Sequence, residues 1–79
     1  MHFLWDEHNA AHLARHGVTP ELAEAIFHAG LDDIYPSRIP YRFAVEAEID
    51  GRCYRLVFDR SREGAIYPVT CFPLDRRTP

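Results

Sequence analysis

Histidine and arginine are the residues of this chain best suited to moving protons or holding phosphate, and both are unevenly placed. Four of the five histidines stand at positions 2, 8, 12 and 16. On a helix advancing about 100° per residue, Trp5, Asn9, His12 and His16 fall in one stripe. Ala10, Leu13, Ala14 and Gly17 form the neighbouring small and apolar stripe, expected to face the core, while Glu7, Ala11 and Arg15 point to water. The stripe of Asn9, His12 and His16 is therefore expected at the border of core and solvent. There an imidazole can reach a ligand and act as a general acid or base. The alternative for each is a bond to a main-chain carbonyl where the helix meets the rest of the fold.

The basic residues tell a second story. All nine are arginine, one in residues 1 to 37 and eight in residues 38 to 79, against six acids in each part. The net charge of -3 argues against a general nucleic-acid coat, yet the second half is expected to present a basic surface. Arginine suits bidentate phosphate recognition, although an all-arginine composition also arises from codon usage. Cleaving RNA without a metal takes a base for the 2′-hydroxyl, a cation for the crowded phosphorane and an acid for the leaving oxygen. His12, His16, Arg42, Arg55 and Arg62 are the candidates, and composition does not choose among them. His8, His12 and His16 at helical spacing lack the glutamate of HExxH and any ligand placed to complete a site, so neither metal nor cofactor is expected. Cys53 and Cys71 read as reduced strand residues; no local signature makes either a nucleophile.

These groups must be positioned by a small scaffold. Asp6 caps a first helix and Gly17 closes it, then Thr19-Pro20-Glu21 restarts the chain as a second helix. That helix runs from Pro20 to about Ala29, with Leu22, Ala25, Ile26 and Ala29 as its apolar face, widened by Ala23 and Phe27. Gly30 stops it, and His28 in its last turn reads as structural. Ahead of the cap, His2 to Leu4 reads as a short strand or arm, with Trp5 packed where it meets the helix. Residues 31 to 40, with two prolines and no period, read as a loop that is also a candidate partner-binding segment. Asp50-Gly51 then signals a two-residue type I′ turn between Tyr41–Ile49 and Arg52–Asp59.

That turn fixes a register. Phe43/Phe58, Val45/Leu56 and Ala47/Tyr54 share the core face. Arg42/Asp59, Ala44/Val57, Glu46/Arg55 and Glu48/Cys53 share the other, so two opposite-charge pairs emerge from the turn alone. That face reads either as a solvated one or as a shallow anion or RNA site flanked by Glu46 and Arg55. After a polar loop at 60 to 65, residues 66 to 72 form the last strand, with Pro68 at an edge or a bulge. Leu74 is expected to close the core and residues 75 to 79 to fray.

At 79 residues the chain is read as a single domain, 1 to 79, of α+β class: two N-terminal helices packed on a small antiparallel sheet. So small a core favours association, including a homodimer through strand edges. No apolar run reaches membrane length and the N-terminus carries no leader pattern, so the expected setting is the cytoplasm, with no membrane partner.

The run WDEHN…H…RHGVTPE, followed by a hairpin and a closing strand of VTCFPL type, resembles the BrnT toxin family and its short relatives, which share a RelE-like ribonuclease fold. Trp5-Asp6 and His16-Gly17-Val18 carry the resemblance most specifically, with Asn9, His12 and Thr19-Pro20-Glu21 as a variant of the motif. The resemblance implies the toxin component of a type II toxin-antitoxin pair, a metal-independent endoribonuclease. It implies RNA as substrate and a separately encoded, DNA-binding antitoxin as partner. It favours His16 and His12 as acid or base with Arg55, and Arg42, Arg62 and Arg76 as phosphate contacts; Trp5, Asp6, Asn9 and Gly17 are motif residues of the scaffold. One departure stands out. Where the family's last strand ends in arginine, this chain has Val69-Thr70-Cys71-Phe72, so an aromatic ring replaces a natural phosphate clamp. That change favours a second possibility, a non-catalytic protein-interaction module of the same fold.

Overall fold

The computed structural model describes residues 2–74. Its elements are α1 (Glu7–Ala14), α2 (Pro20–Ala29), a short 3-10 turn (Leu31–Asp33) and strands β1 (Tyr35–Pro36), β2 (Arg42–Ile49), β3 (Arg52–Arg60) and β4 (Ile66–Pro73). The strands form one antiparallel sheet in the order β1-β2-β3-β4. α2 lies on β2 and β3, whereas α1 packs against β4.

The hairpin has the register that its turn dictates, from Arg42 opposite Asp59 to Ile49 opposite Arg52. Asp50 and Gly51 both take positive φ, 52° and 82°, as a type I′ turn requires. Val45, Leu56 and Phe58 on the inner face are fully buried with Leu13, Val18, Ile26, Phe27, Ile66 and Cys71. Phe27 meets Phe58 edge-on at 5.2 Å, and Phe3 meets Phe27 likewise at 5.3 Å, which locks α2 and the N-terminal arm to one core. Burial of these side chains is the main force holding the helices to the sheet.

Several expectations need correction. The 31–40 segment is not wholly loop: Tyr35 and Pro36 pair with Ala44 and Phe43. A two-residue strand containing proline has no period to read, and Pro36 is tolerated because β1 is an edge. On α2 the buried residues are Ala23, Ile26 and Phe27, while Ala25 and Ala29 are exposed. On α1 Leu13 is buried, but Ala14 and Gly17 face solvent. Gly30 ends α2 with φ −103°, so handedness is not its reason. A Cβ there would overlap Val45 Cγ2 and stand 2.8 Å from Glu46 O, so glycine lets the helix end close on β2.

Pro68 sits both at an edge and beside a bulge. β4 is the other edge strand, and its pairing with β3 shifts between Val57 and Phe58, leaving Val69 without an opposite number. The arm bonds to the start of this edge through Leu4 N–H to Ile66 O and Ile66 N–H to His2 O, both 2.8 Å. Among the described residues no helix is long and apolar enough to cross a membrane.

Candidate functional site

α1 runs along β4, tied at its start by a reciprocal cap. Asn9 N–H donates to Asp6 Oδ1 at 2.9 Å and Asp6 N–H donates to Asn9 Oδ1 at 2.8 Å. The Asn9 amide nitrogen then donates to Leu4 O and to Pro68 O, each at 3.0 Å. Asn9 is only 1% exposed, and both amide hydrogens and the carbonyl oxygen of its side chain are engaged. It is not a border residue but the bolt between α1 and the edge of β4. Trp5 also leaves the expected stripe, since its indole N–H donates to Glu24 Oε2 on α2 at 2.8 Å.

His12 and His16 remain. Gly17, at φ 73°, lets its own N–H return to Ala14 O and the Val18 N–H return to Leu13 O, so the turn that follows α1 carries His16 and closes right after it. His16 is exposed and His12 half-buried, with ring centroids 6.3 Å apart. Neither imidazole has a hydrogen-bond partner among the described residues. His16 lies 6.1 Å from the centre of the Phe72 ring, and the Arg55 guanidinium lies 5.9 Å over that same ring.

Arg55 continues the line. Glu46 Oε2 sits 2.8 Å from both its Nε and its Nη2, and the Tyr35 hydroxyl donates to the same oxygen at 2.9 Å. Burial and this bond raise the phenol of Tyr35 above its ordinary pKa. A single line of contacts thus runs from the imidazoles through Phe72, Arg55 and Glu46 to Tyr35, which reaches Glu46 diagonally from its place opposite Ala44. The bulge at Val69 makes it: without the extra residue, Arg55 would face Cys71 and Phe72 would turn inward.

Arg42 belongs to a different row. It forks onto Asp59, with Nη2 at 3.1 Å from Oδ2 and a closer contact from Nε to Oδ1 of 2.6 Å. Tyr67 stands opposite Asp59 and donates its hydroxyl to Asp6 Oδ2 at 2.9 Å. Asp6 is held below the ordinary carboxylate pKa by the Asn9 backbone N–H first and by Tyr67 second. The Arg42 row lies four residues along β3 from the Arg55 row, about 13 Å at strand rise. Between them runs a small row of Ala44, Val57 and Thr70. Both arginines face carboxylates, so these two rows of the outer face carry balanced charge.

Arg62 is exposed in the turn between β3 and β4, beyond the Arg42 row. Arg76 lies outside the described residues. The arrangement therefore brings His12, His16 and Arg55 together around Phe72 and sets Arg42 and Arg62 apart. Sequence reasoning missed Tyr35 and Tyr67: the first because β1 was unreadable, the second because its partner Asp6 is remote in the chain. Among the described residues no three of His, Cys, Asp and Glu gather as a metal site. Cys71 is buried, and burial pushes its thiol up to about 12, which leaves it protonated and unreactive at neutral pH.

The 1.1 Å crystal structure of the Brucella abortus ribonuclease toxin BrnT superposes on this chain with a TM-score of 0.76. The match covers 96% of this chain and 99% of that one, at 19% sequence identity. The chain has the BrnT-like toxin fold. No family model matches the sequence, and a comparison with curated proteins found no match. At this identity the likeness to BrnT is one of architecture, and the side chains that fill the BrnT-like frame here are the chain's own.

Proposed function

We propose that this protein is a toxin-like endoribonuclease whose site is the end of α1 beside Phe72 and Arg55. The observation that carries the reading is the grouping of His12, His16 and Arg55 around one exposed edge of a frame shared with a ribonuclease toxin. In this reading His16 takes the proton from a ribose 2′-hydroxyl, whose oxygen attacks the adjacent phosphorus. His12 gives a proton to the departing 5′-oxygen, leaving a 2′,3′-cyclic phosphate and a free 5′-hydroxyl. Arg55 steadies the phosphorane with the N–H groups that Glu46 does not occupy, a charge-assisted contact that strengthens as negative charge builds on the oxygens. No metal takes part. An antitoxin protein would hold this activity in check in the cytoplasm.

A second reading has its own support. Arg42 and Arg55 are already paired with Asp59 and Glu46, and the ring of Phe72 stands where a free cation would be most useful. A frame kept for protein binding alone would look the same. Induced expression of wild type and His16→Ala, with growth and RNA integrity followed, separates the two. The nuclease reading expects arrest and RNA fragments ending in cyclic phosphate from wild type, and at least about 100-fold slower cleavage by His16→Ala. This is the lower end of about 10²–10⁴-fold for a lost proton-transfer group. Intact RNA and normal growth with soluble wild type, and no antitoxin present, would remove it.

A further inference from the structure

Two turns meet at the end of the sheet opposite Phe72. One joins β1 to β2 and is closed by Ser37 N–H to Arg42 O at 2.9 Å; the other joins β3 to β4 and is closed by Ser61 N–H to Ala65 O at 3.0 Å. They are clamped side by side by Arg60 N–H to Tyr41 O at 3.0 Å. Their exposed side chains are of two kinds. Tyr41, 55% exposed, and Ile39, 37% exposed, are apolar. Arg38, Arg60 and Arg62 are exposed and basic. None of the three has a carboxylate partner among the described residues, although the Arg60 guanidinium rests 5.7 Å from the Phe43 ring. Glu63 is the one carboxylate within these two turns.

Ile39 and Tyr41 are two of the five large apolar side chains exposed among the described residues, and they share the turn between β1 and β2. Exposed apolar side chains rimmed by one sign of charge are what a binding surface presents. The patch is also held still. Pro36 and Pro40 restrict the backbone, and the Ser37 hydroxyl both accepts from Ile39 N–H at 3.1 Å and donates to Ile39 O at 3.3 Å. Side chains presented on such a turn lose little freedom on binding.

From this we infer that the paired turns dock a protein segment in which acidic residues flank one or two large apolar side chains. The apolar residues would cover Tyr41 and Ile39, and the carboxylates would reach Arg38, Arg60 and Arg62. Aliphatic Ile39 beside Tyr41 favours a peptide over single-stranded RNA, which would gain from aromatic platforms but not from a branched alkyl group. The surface is remote from the histidines and stands whether or not the protein cleaves RNA.

Panning a random-peptide display library on the full chain tests this. Peptides enriched in Asp or Glu around a large apolar residue are expected, with affinity that falls as salt rises. Tyr41→Ser, and separately Arg60→Glu with Arg62→Glu, should each weaken the selected peptides about 30-fold, as loss of an anchor residue does. All substituted side chains are exposed, and unchanged melting temperatures would confirm the fold. The inference would be overturned by peptides with no acidic preference, by peptides indifferent to both substitutions, or by oligouridylate binding lost on these substitutions with no acidic peptide selected. Sedimentation showing a dimer that Tyr41→Ser dissociates would also overturn it, because the occupant would then be a second copy.

Discussion

The two charged rows on the outer face of the sheet are built from similar residues and end differently. In the Arg42 row every polar group finds a partner: the guanidinium forks onto Asp59, and Tyr67 closes on Asp6 at the helix start. In the Arg55 row the carboxylate end is equally well tied, to Arg55 and Tyr35, but the other end runs through a ring to two imidazoles with no hydrogen bond among the described residues. Saturated groups stabilise a fold; groups with spare capacity are what a substrate can use. The same α1 supplies the far end of both rows, closed at its first turn and open at its last. On one strip of chain, scaffold and candidate chemistry are thus separated by two helical turns.

The largest expected effect comes from loosening what both rows share. Asn9→Ala strips Leu4 O and Pro68 O of their donor and leaves Asp6 N–H unpaired. Urea unfolding should show a loss of about 2–3 kcal/mol, the cost of leaving buried polar groups unsatisfied. A loss under about 0.5 kcal/mol, the level of an ordinary surface substitution, would mean that α1 is not bolted to β4 in this way.

Next in size is the contrast between the two ion pairs. Double-mutant cycles should give about 1 kcal/mol for Arg42 with Asp59, which is forked, and about half that for Arg55 with Glu46. The second pair meets through one carboxylate oxygen and is more exposed. Equal or reversed couplings would erase the distinction between a closed row and an open one.

The smallest effect is a pH window. The folded-state pKa of Asp6 lies below its ordinary 3.8, so its contribution is present above that value and is lost as pH falls through the lower folded value. Tyr67 is shifted the opposite way, raised above 10.0 by its bond to Asp6 first and burial second, so its contribution is complete below pH 10 and is lost as pH rises through the folded value. Tyr67→Phe should therefore flatten the alkaline limb of melting temperature against pH and shallow the acid one. Unchanged limbs in that variant would show that the Tyr67–Asp6 bond carries no linkage.

The parts of this fold legible in the sequence are those fixed by local chemistry. Asp50-Gly51 admits one turn type, and from it every β2–β3 partner follows, both ion pairs included. Asp6, Gly17 and Thr19-Pro20 likewise mark helix ends by their own backbone preferences. What stayed hidden depended on distant partners. Asn9 is polar, so a wheel places it at the border, and only the bare carbonyl of Pro68 explains its burial. The apolar face of α1 is narrow because the helix meets one strand rather than a sheet. Within the candidate site, the two histidines could be singled out by spacing. Their approach to Arg55 could not, because one unpaired residue at Val69 decides which side chain of β4 stands beside it.

The arm and α1 have a bearing on how copies of this chain can meet. Leu4, His2 and Asn9 occupy main-chain groups of Ile66 and Pro68, so one border of the sheet is sealed where a neighbouring strand would otherwise attach. The opposite border, along β1 and the part of β2 beyond it, is the one left for strand addition. A subunit with a single adhesive side can pair once, but it cannot propagate into a fibre, because growth needs a free lane on both flanks.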